Sequence, residues 1–182
     1  MNELSLFVLD IAQNSAEAGA TLVEILADEQ EELTMIVVTD NGCGMDENIT
    51  GLAVNTAYST KGEGRGCGLP ELKAAAKCSG GRLRVFSQKG KGTRVEASFL
   101  SKASPKMGDI NSTIRLFSVC HPELDVVFRR RILDKELELD TRRIKKELDT
   151  AAGTAALSGR IRKYLDEQTK IIFGGAADEN NG

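Results

Sequence analysis

The run Leu33-Thr34-Met35-Ile36-Val37-Val38-Thr39 leads straight into Asp40-Asn41-Gly42-Cys43-Gly44-Met45, and this junction constrains the fold more than any other stretch. A run dominated by β-branched and apolar side chains reads as a strand. Asp40 is then a buried aspartate directly after a strand. The two glycines let the backbone turn tightly and let a ligand ring come close to it. Such an aspartate can accept a hydrogen bond from an exocyclic amine like that of adenine. Taken singly, the motif is also compatible with an ordinary tight turn.

The segments around it supply a small set of partners. Residues 3–18 read as a helix, with Leu4, Val8, Ile11 and Ser15 on one face and Asp10, Asn14 and Ala18 on a second stripe. Gly19 ends it. Residues 21–27 alternate as a strand, with Val23 and Ile25 on one side. Residues 46–66 hold little core material and four glycines, so they are expected to form a mobile loop. A second helix is predicted over 69–77, with Pro70 in its first turn and Gly80-Gly81 as its stop. Two strands follow around the hairpin Lys89-Gly90-Lys91-Gly92, with Leu83, Val85, Val95, Ala97 and Phe99 inward. The reading continues with a linker at 101–108, a helix at 109–119, strands at 124–130 and 135–139, and helices at 142–149 and 157–170. Residues 174–182 are expected to be disordered.

Composition narrows the class. The 182 residues are 41% hydrophobic and 28% charged, as in a globular protein. The net charge of −3 gives no electrostatic reason to expect a nucleic acid or an anionic membrane as partner. No apolar run approaches the ~20 residues of a membrane span, and the N-terminus carries no secretory pattern. A reduced, cytoplasmic setting is expected for Cys43, Cys67, Cys78 and Cys120, which show no CxxC or metal spacing. Cys78 and Cys120 are expected to be small buried hydrophobes. The basic residues from Arg129 to Lys146 alternate with Glu136, Glu138, Asp140, Glu147 and Asp149, which predicts a solvated, ion-paired face.

Four places carry chemistry. Asp10 and Asn14, one turn apart, can share a Mg²⁺ or its waters, and the carboxylate can orient or deprotonate a water. Asp40 lies in Asp-x-Gly-x-Gly. The run Tyr58-Ser59-Thr60-Lys61-Gly62-Glu63-Gly64-Arg65-Gly66-Cys67-Gly68-Leu69 leads glycine-rich backbone into a helix N-terminus, an anion cradle to which Lys61 and Arg65 add charge. It is neither a Walker loop nor a dinucleotide fingerprint. In Gly90-Lys91-Gly92-Thr93, Thr93 opens a strand that can lie beside Asp40.

Each place alone is ambiguous, but Asn14, Asp40, Gly66–Gly68 and Thr93 come in one order at near-even intervals. In this order they resemble the GHKL superfamily of gyrase, histidine kinases and MutL. Asn14 to Ala20 is similar to the N box of MutL-type proteins. Asp40–Met45 resembles the G1 box, Tyr58–Leu69 the lid and G2 box of histidine kinases, and Gly90–Thr93 the last box. The resemblance covers about residues 3–100. It implies a Bergerat-type α/β fold, a two-layer sandwich with helices on one face of a mixed sheet. Residues 1–100 would be the ATP-binding domain and 109–173 a small C-terminal helix, hairpin and helix extension.

The resemblance also implies ATP and Mg²⁺ as ligands. Asn14 would ligate the metal. Ala18, Gly42, Gly44 and Met45 would line the adenine pocket. Asp40 would hold the adenine amine, with Thr93 in support. Thr60, Lys61, Arg65 and the backbone of Gly66, Cys67, Gly68 and Leu69 would hold the phosphates. Hydrolysing members carry a glutamate where this chain has Asp10. Histidine kinases carry an upstream phosphoacceptor helix pair, whereas only Met1 to Leu9 precede Asp10 here, and His121 is in no phosphoacceptor pattern. Three functions stay open. The first is a regulatory module or protein (serine) kinase acting on a protein partner, the second a slow ATPase with Asp10 as base, and the third a non-catalytic interaction module. A homodimer is compatible with each.

Overall fold

The computed structural model describes residues 3–55, 68–148 and 153–174. The chain opens with helix α1 (Leu4–Glu17), strand β1 (Leu22–Glu29) and strand β2 (Leu33–Asp40). Helices α2 (Glu47–Asn55) and α3 (Gly68–Cys78) follow, then the hairpin of β3 (Arg82–Gln88) and β4 (Gly92–Leu100). After a 3₁₀ turn (Ser101–Ala103) come α4 (Ile110–Cys120), the hairpin of β5 (Asp125–Ile132) and β6 (Lys135–Asp140), α5 (Thr141–Glu147) and α6 (Thr154–Phe173).

All six strands join one mixed sheet in the order β3-β4-β2-β1-β5-β6. Among the described residues, only the β1–β5 pair is parallel. Its register explains the layering. Val85, Val95, Val38, Ile25, Phe128 and Leu139 lie side by side across the whole sheet. Because side chains alternate along a strand, that row and its neighbours two residues away share one face. Helical residues such as Phe7, Ile11, Leu72, Phe117 and Ile161 pack with them into one core. On the other face the equivalent row contains Arg84, Glu96, Arg129 and Glu138, with Arg129 and Glu138 paired at 2.8 Å. The molecule is therefore a two-layer sandwich, with its helices on one face of the sheet.

The segment 104–108 is tied to α1. That helix begins after Glu3 with no side-chain cap. Instead the Leu4 and Ser5 amides donate to the carbonyls of Lys106 and Met107, each at 2.9 Å. Backbone carbonyls thus satisfy two of the amides that a helix start leaves open.

Three expectations need correction. The stretch 46–66 is not wholly a loop: Asp46 accepts from the Ile49 amide at 2.9 Å and starts α2. That helix buries none of its residues fully, and Ile49, Ala53 and Val54 are half-buried. Cys78 and Cys120 are exposed, each the last residue of its helix and turned away from the core. The final helix is longer than 157–170, running on to a left-handed Gly174 with φ 64°. The tail beyond Gly174 lies outside the described residues. Among the described residues, no helix is long and apolar enough to cross a membrane.

The basic residues after Arg129 are largely ion-paired, as at Arg142–Asp140 and Lys145–Asp125, both 2.8 Å. Arg130 differs. It sits on the core face, is buried, pairs with Glu29 at 3.0 Å and lies 5.7 Å from the Phe173 ring centroid.

Candidate functional site

The site begins at the end of the core-facing rows. Ser87, Thr93, Asp40 and Val23 are register partners across β3, β4, β2 and β1, one step past the apolar row that holds Val38. Their side chains therefore face the helix layer at its rim. The alternation that buries Ile36 and Val38 also delivers Asp40 to this face.

Asp40 is held on both oxygens. Oδ1 accepts from the Gly42 amide at 2.9 Å and from the Thr93 amide at 3.2 Å. Oδ2 accepts from the Ser15 hydroxyl at 2.9 Å. An ionised carboxylate has about four acceptor positions. Three are filled, so Oδ2 keeps one position for an external N–H donor.

The glycine loop is shaped by close approach. Ala18, the C-cap of α1, accepts from the Cys43 amide at 2.9 Å, and a Cβ on Gly42 would lie 2.9 Å from the Ala18 Cβ. Gly44 has φ 61°, and a Cβ there would lie 2.1 Å from the Gln88 carbonyl oxygen. The Met45 amide donates to Ser87 Oγ at 2.8 Å, which fixes the loop to the β3–β4 hairpin. Asn41 fastens the other side: its Oδ1 accepts from the Thr21 and Leu22 amides at 2.8 and 3.0 Å.

A second cluster joins α1 to α3. Gly68, the first residue of α3, approaches Asp10 so closely that a Cβ would lie 3.3 Å from the Asp10 Cβ and 3.4 Å from Oδ2. Asp10 thus lies against the N-terminus of α3. Partial burial, and then the negative charge of Glu71 in the first turn of α3, raise its pKa above the ordinary aspartate value. A carboxylate shifted this way is a better proton acceptor than a free one. Asn14 is exposed on α1, and its side chain has no hydrogen-bond partner among the described residues. Its amide oxygen is the hard donor type that Mg²⁺ takes. Leu69 packs against the core from α3.

The structure therefore joins Ala18, Asp40, Gly42, Gly44, Met45 and Thr93 in one cluster, and Asp10 with Gly68 in a second. Thr60, Lys61, Arg65, Gly66 and Cys67 lie outside the described residues. Ser15, Ser87, Asn41 and Glu71 are members of these clusters that sequence reasoning did not assign to the site. Ser15 has a visible signal, being a hydroxyl in line with Leu4, Val8 and Ile11 on α1. His121 is elsewhere: it caps α4, stacks near Phe117 with ring centroids 4.9 Å apart and lies 3.2 Å from Gln13 Oε1.

Comparison with known proteins follows the same outline. The model of the family described as histidine kinase-, DNA gyrase B-, and HSP90-like ATPase matches residues 2–103. The tetrathionate sensor histidine kinase TtrS of Salmonella typhimurium is 32% identical over 108 residues, or 57% of this chain and 18% of that protein. A putative sensor histidine kinase, NtrY-like, of Rickettsia conorii is 25% identical over 100 residues, or 54% and 17%. The matched region is thus less than a fifth of either relative's length. Among solved structures, the N-terminal domain of a DNA repair protein superposes with a TM-score of 0.57 at 18% identity, covering 86% of this chain and 56% of that one. The Aquifex aeolicus MutL ATPase domain complexed with ADP gives a TM-score of 0.50 at 17% identity, covering 80% and 68%. At these identities the structural likenesses speak for the fold.

Proposed function

The chain belongs to the family of histidine kinase-, DNA gyrase B-, and HSP90-like ATPases, and from that premise we propose that it binds Mg-ATP and uses it as a regulatory module or protein (serine) kinase acting on a protein partner. The observation that carries the ATP reading is the state of Asp40. Two amides and one hydroxyl fix its carboxylate and leave one acceptor position. An adenine amine donates where a guanine carbonyl would only repel, so a fixed acceptor at this place selects adenine.

The remaining roles follow from the same reading. Ala18, Gly42, Gly44 and Met45 line the adenine pocket, and Thr93 meets the ring beside Asp40. Asn14 holds Mg²⁺ through its side-chain oxygen. Thr60, Lys61, Arg65 and the backbone of Gly66 to Leu69 hold the phosphates, helped by the partial positive charge at the start of α3. A Mg²⁺ held by Asn14 would supply positive charge to the phosphate oxygens.

Neither use as a switch nor use as a kinase depends on Asp10 as a base. A switch needs no base, and a kinase can draw its nucleophile from the partner. Slow hydrolysis is the second reading, favoured by one observation. Asp10 lies against Gly68 with a raised pKa, which suits a base for an attacking water. Histidine autophosphorylation has no support among the described residues, since His121 sits on Phe117 and not in the site.

One experiment separates these uses. The protein is incubated with γ-labelled ATP and Mg²⁺, with and without cell extract. Label on another protein supports the kinase. Free phosphate that disappears in Asp10→Asn supports the ATPase, and binding with neither product leaves the switch. Asp40→Asn tests the base site directly, and unchanged ATP affinity in that variant would sink the assignment.

A further inference from the structure

Beside Asp40, Ser15 and Thr93 stands a further hydroxyl, that of Ser87. Ser87 lies on β3 directly opposite Thr93 on β4. Its Oγ accepts from the Met45 amide at 2.8 Å, lies 2.8 Å from Thr93 Oγ1 and can donate to the Gly92 carbonyl at 3.2 Å. A serine hydroxyl has one proton and two lone pairs. Met45 fills one lone pair, and the other two capacities can be met in two ways. In the first, Thr93 donates to Ser87 and Ser87 donates to Gly92, so the Thr93 oxygen is only an acceptor. In the second, Ser87 donates to Thr93 and gives up the longer Gly92 contact. The Thr93 proton is then released for an acceptor outside the protein.

The first arrangement places every hydroxyl proton within the protein. The second needs a ligand acceptor to complete it. The Thr93 amide is fixed on Asp40 Oδ1 at 3.2 Å, so only the hydroxyl is left to reorient. An adenine ring offers what this pair requires, an amine for Asp40 with a ring nitrogen acceptor next to it. We propose that Ser87 is a positioning residue of the base site, holding the Met45 loop and turning the Thr93 hydroxyl outward toward the ring nitrogen of the bound base. This rests on the reading of Asp40 and Thr93 as the adenine site. Ser87 acts through Thr93 and Met45 rather than by touching the ligand.

The test is a double-mutant cycle on the affinity for Mg-ATP, measured by titration calorimetry on the whole chain. Ser87→Ala and Thr93→Val are each expected to weaken binding about three- to tenfold, the size of one net hydrogen bond. The double variant is expected to lose about as much as the weaker-binding single variant, because the two residues act as one unit. Ser87→Thr, which keeps the hydroxyl, restores affinity to within about twofold of the parent. In the nucleotide-free protein, amide exchange at Met45 quickens in Ser87→Ala and stays unchanged in Thr93→Val. Should Ser87→Ala not fold, Ser87→Cys reports the same coupling, since a thiol is a poor donor and acceptor of similar size. Losses that multiply in the double variant, or parent-like affinity in Ser87→Ala, overturn the inference while leaving the base site standing. A parent protein that does not bind ATP overturns the base-site reading and this inference with it.

Discussion

The Ser15 hydroxyl donates to Asp40 Oδ2 at 2.9 Å, tying the last turn of α1 to the end of β2. The same hydroxyl also reaches the Ile11 carbonyl at 3.1 Å, so its position is set by the helix that carries it. Removing it frees one oxygen of the carboxylate that the ligand would meet. Ser15→Ala is expected to weaken ATP binding about three- to tenfold, as for one lost hydrogen bond. A dissociation constant equal to the parent's would show that Asp40 is oriented without Ser15.

Asp10 gives a pH-dependent prediction. Partial burial first, and Glu71 second, raise its pKa in the folded protein. The folded state therefore holds this proton more tightly than the unfolded chain does. That contribution is fully present below the unfolded aspartate value and is lost as pH rises through the raised folded value. At neutral pH the charged carboxylate is a cost, reduced by the water that reaches it. Asp10→Asn is expected to raise Tm at pH 7 by about 1 °C, with the gain vanishing below about pH 4. Melting curves across pH check this, and a lower Tm for the variant at pH 7 would contradict it.

Gly92 has φ 95°, and a Cβ there would lie 2.0 Å from the Asp40 carbonyl oxygen. Neither the torsion nor the contact admits a side chain, and the clash is with backbone. Gly92→Ala is expected to destabilise the fold by about 2–3 kcal/mol in urea titration. It also pushes β4 away from the end of β2, so ATP binding falls with it. Parent-like stability would mean that the hairpin relaxes at no cost.

Arg130 and Glu29 form a pair with little exposure on either side chain, 10% and 25%. Glu29→Ala leaves the guanidinium desolvated without its counter-charge and is expected to cost about 1–3 kcal/mol. Arg130→Met removes the charge and keeps the apolar stem, and is expected to cost less than Glu29→Ala. Chemical denaturation of both variants decides it, and the reverse order would assign the stability to the contact between Arg130 and Phe173.

Much of the fold was legible because its periods are plain. Leu4, Val8 and Ile11 mark α1, and the alternations around Val23, Val38 and Val95 mark three strands of the sheet. Thr93 opens a strand that by its sequence can lie beside Asp40, and the register pairs them. Other features had weak or no sequence signal. The helix α2 has only Ile49, Leu52 and Ala53 at helical spacing, holds Gly51 inside it and buries no residue fully. The parallel pairing of β1 with β5 depends on contacts across the chain that no local pattern encodes. Arg130 reads as one of a basic run, and only its place in the register turns it inward. Ser87 and Glu71 belong to the site through tertiary neighbours alone.

The pairing of β5 with β1 has a consequence for how this molecule can be cut. The family model ends at residue 103, yet the sheet continues through Ile132 and Asp140. Within the sheet β1 is an interior strand, bonded to β2 on one side and β5 on the other. A fragment stopped at Ala103 would strip Leu22–Glu29 of its second ladder and open the core beside Ile25. Such an edge is long, apolar on one face and unprotected, the form that recruits further copies of itself. The shortest piece that keeps this edge covered is therefore longer than the piece that defines its kinship.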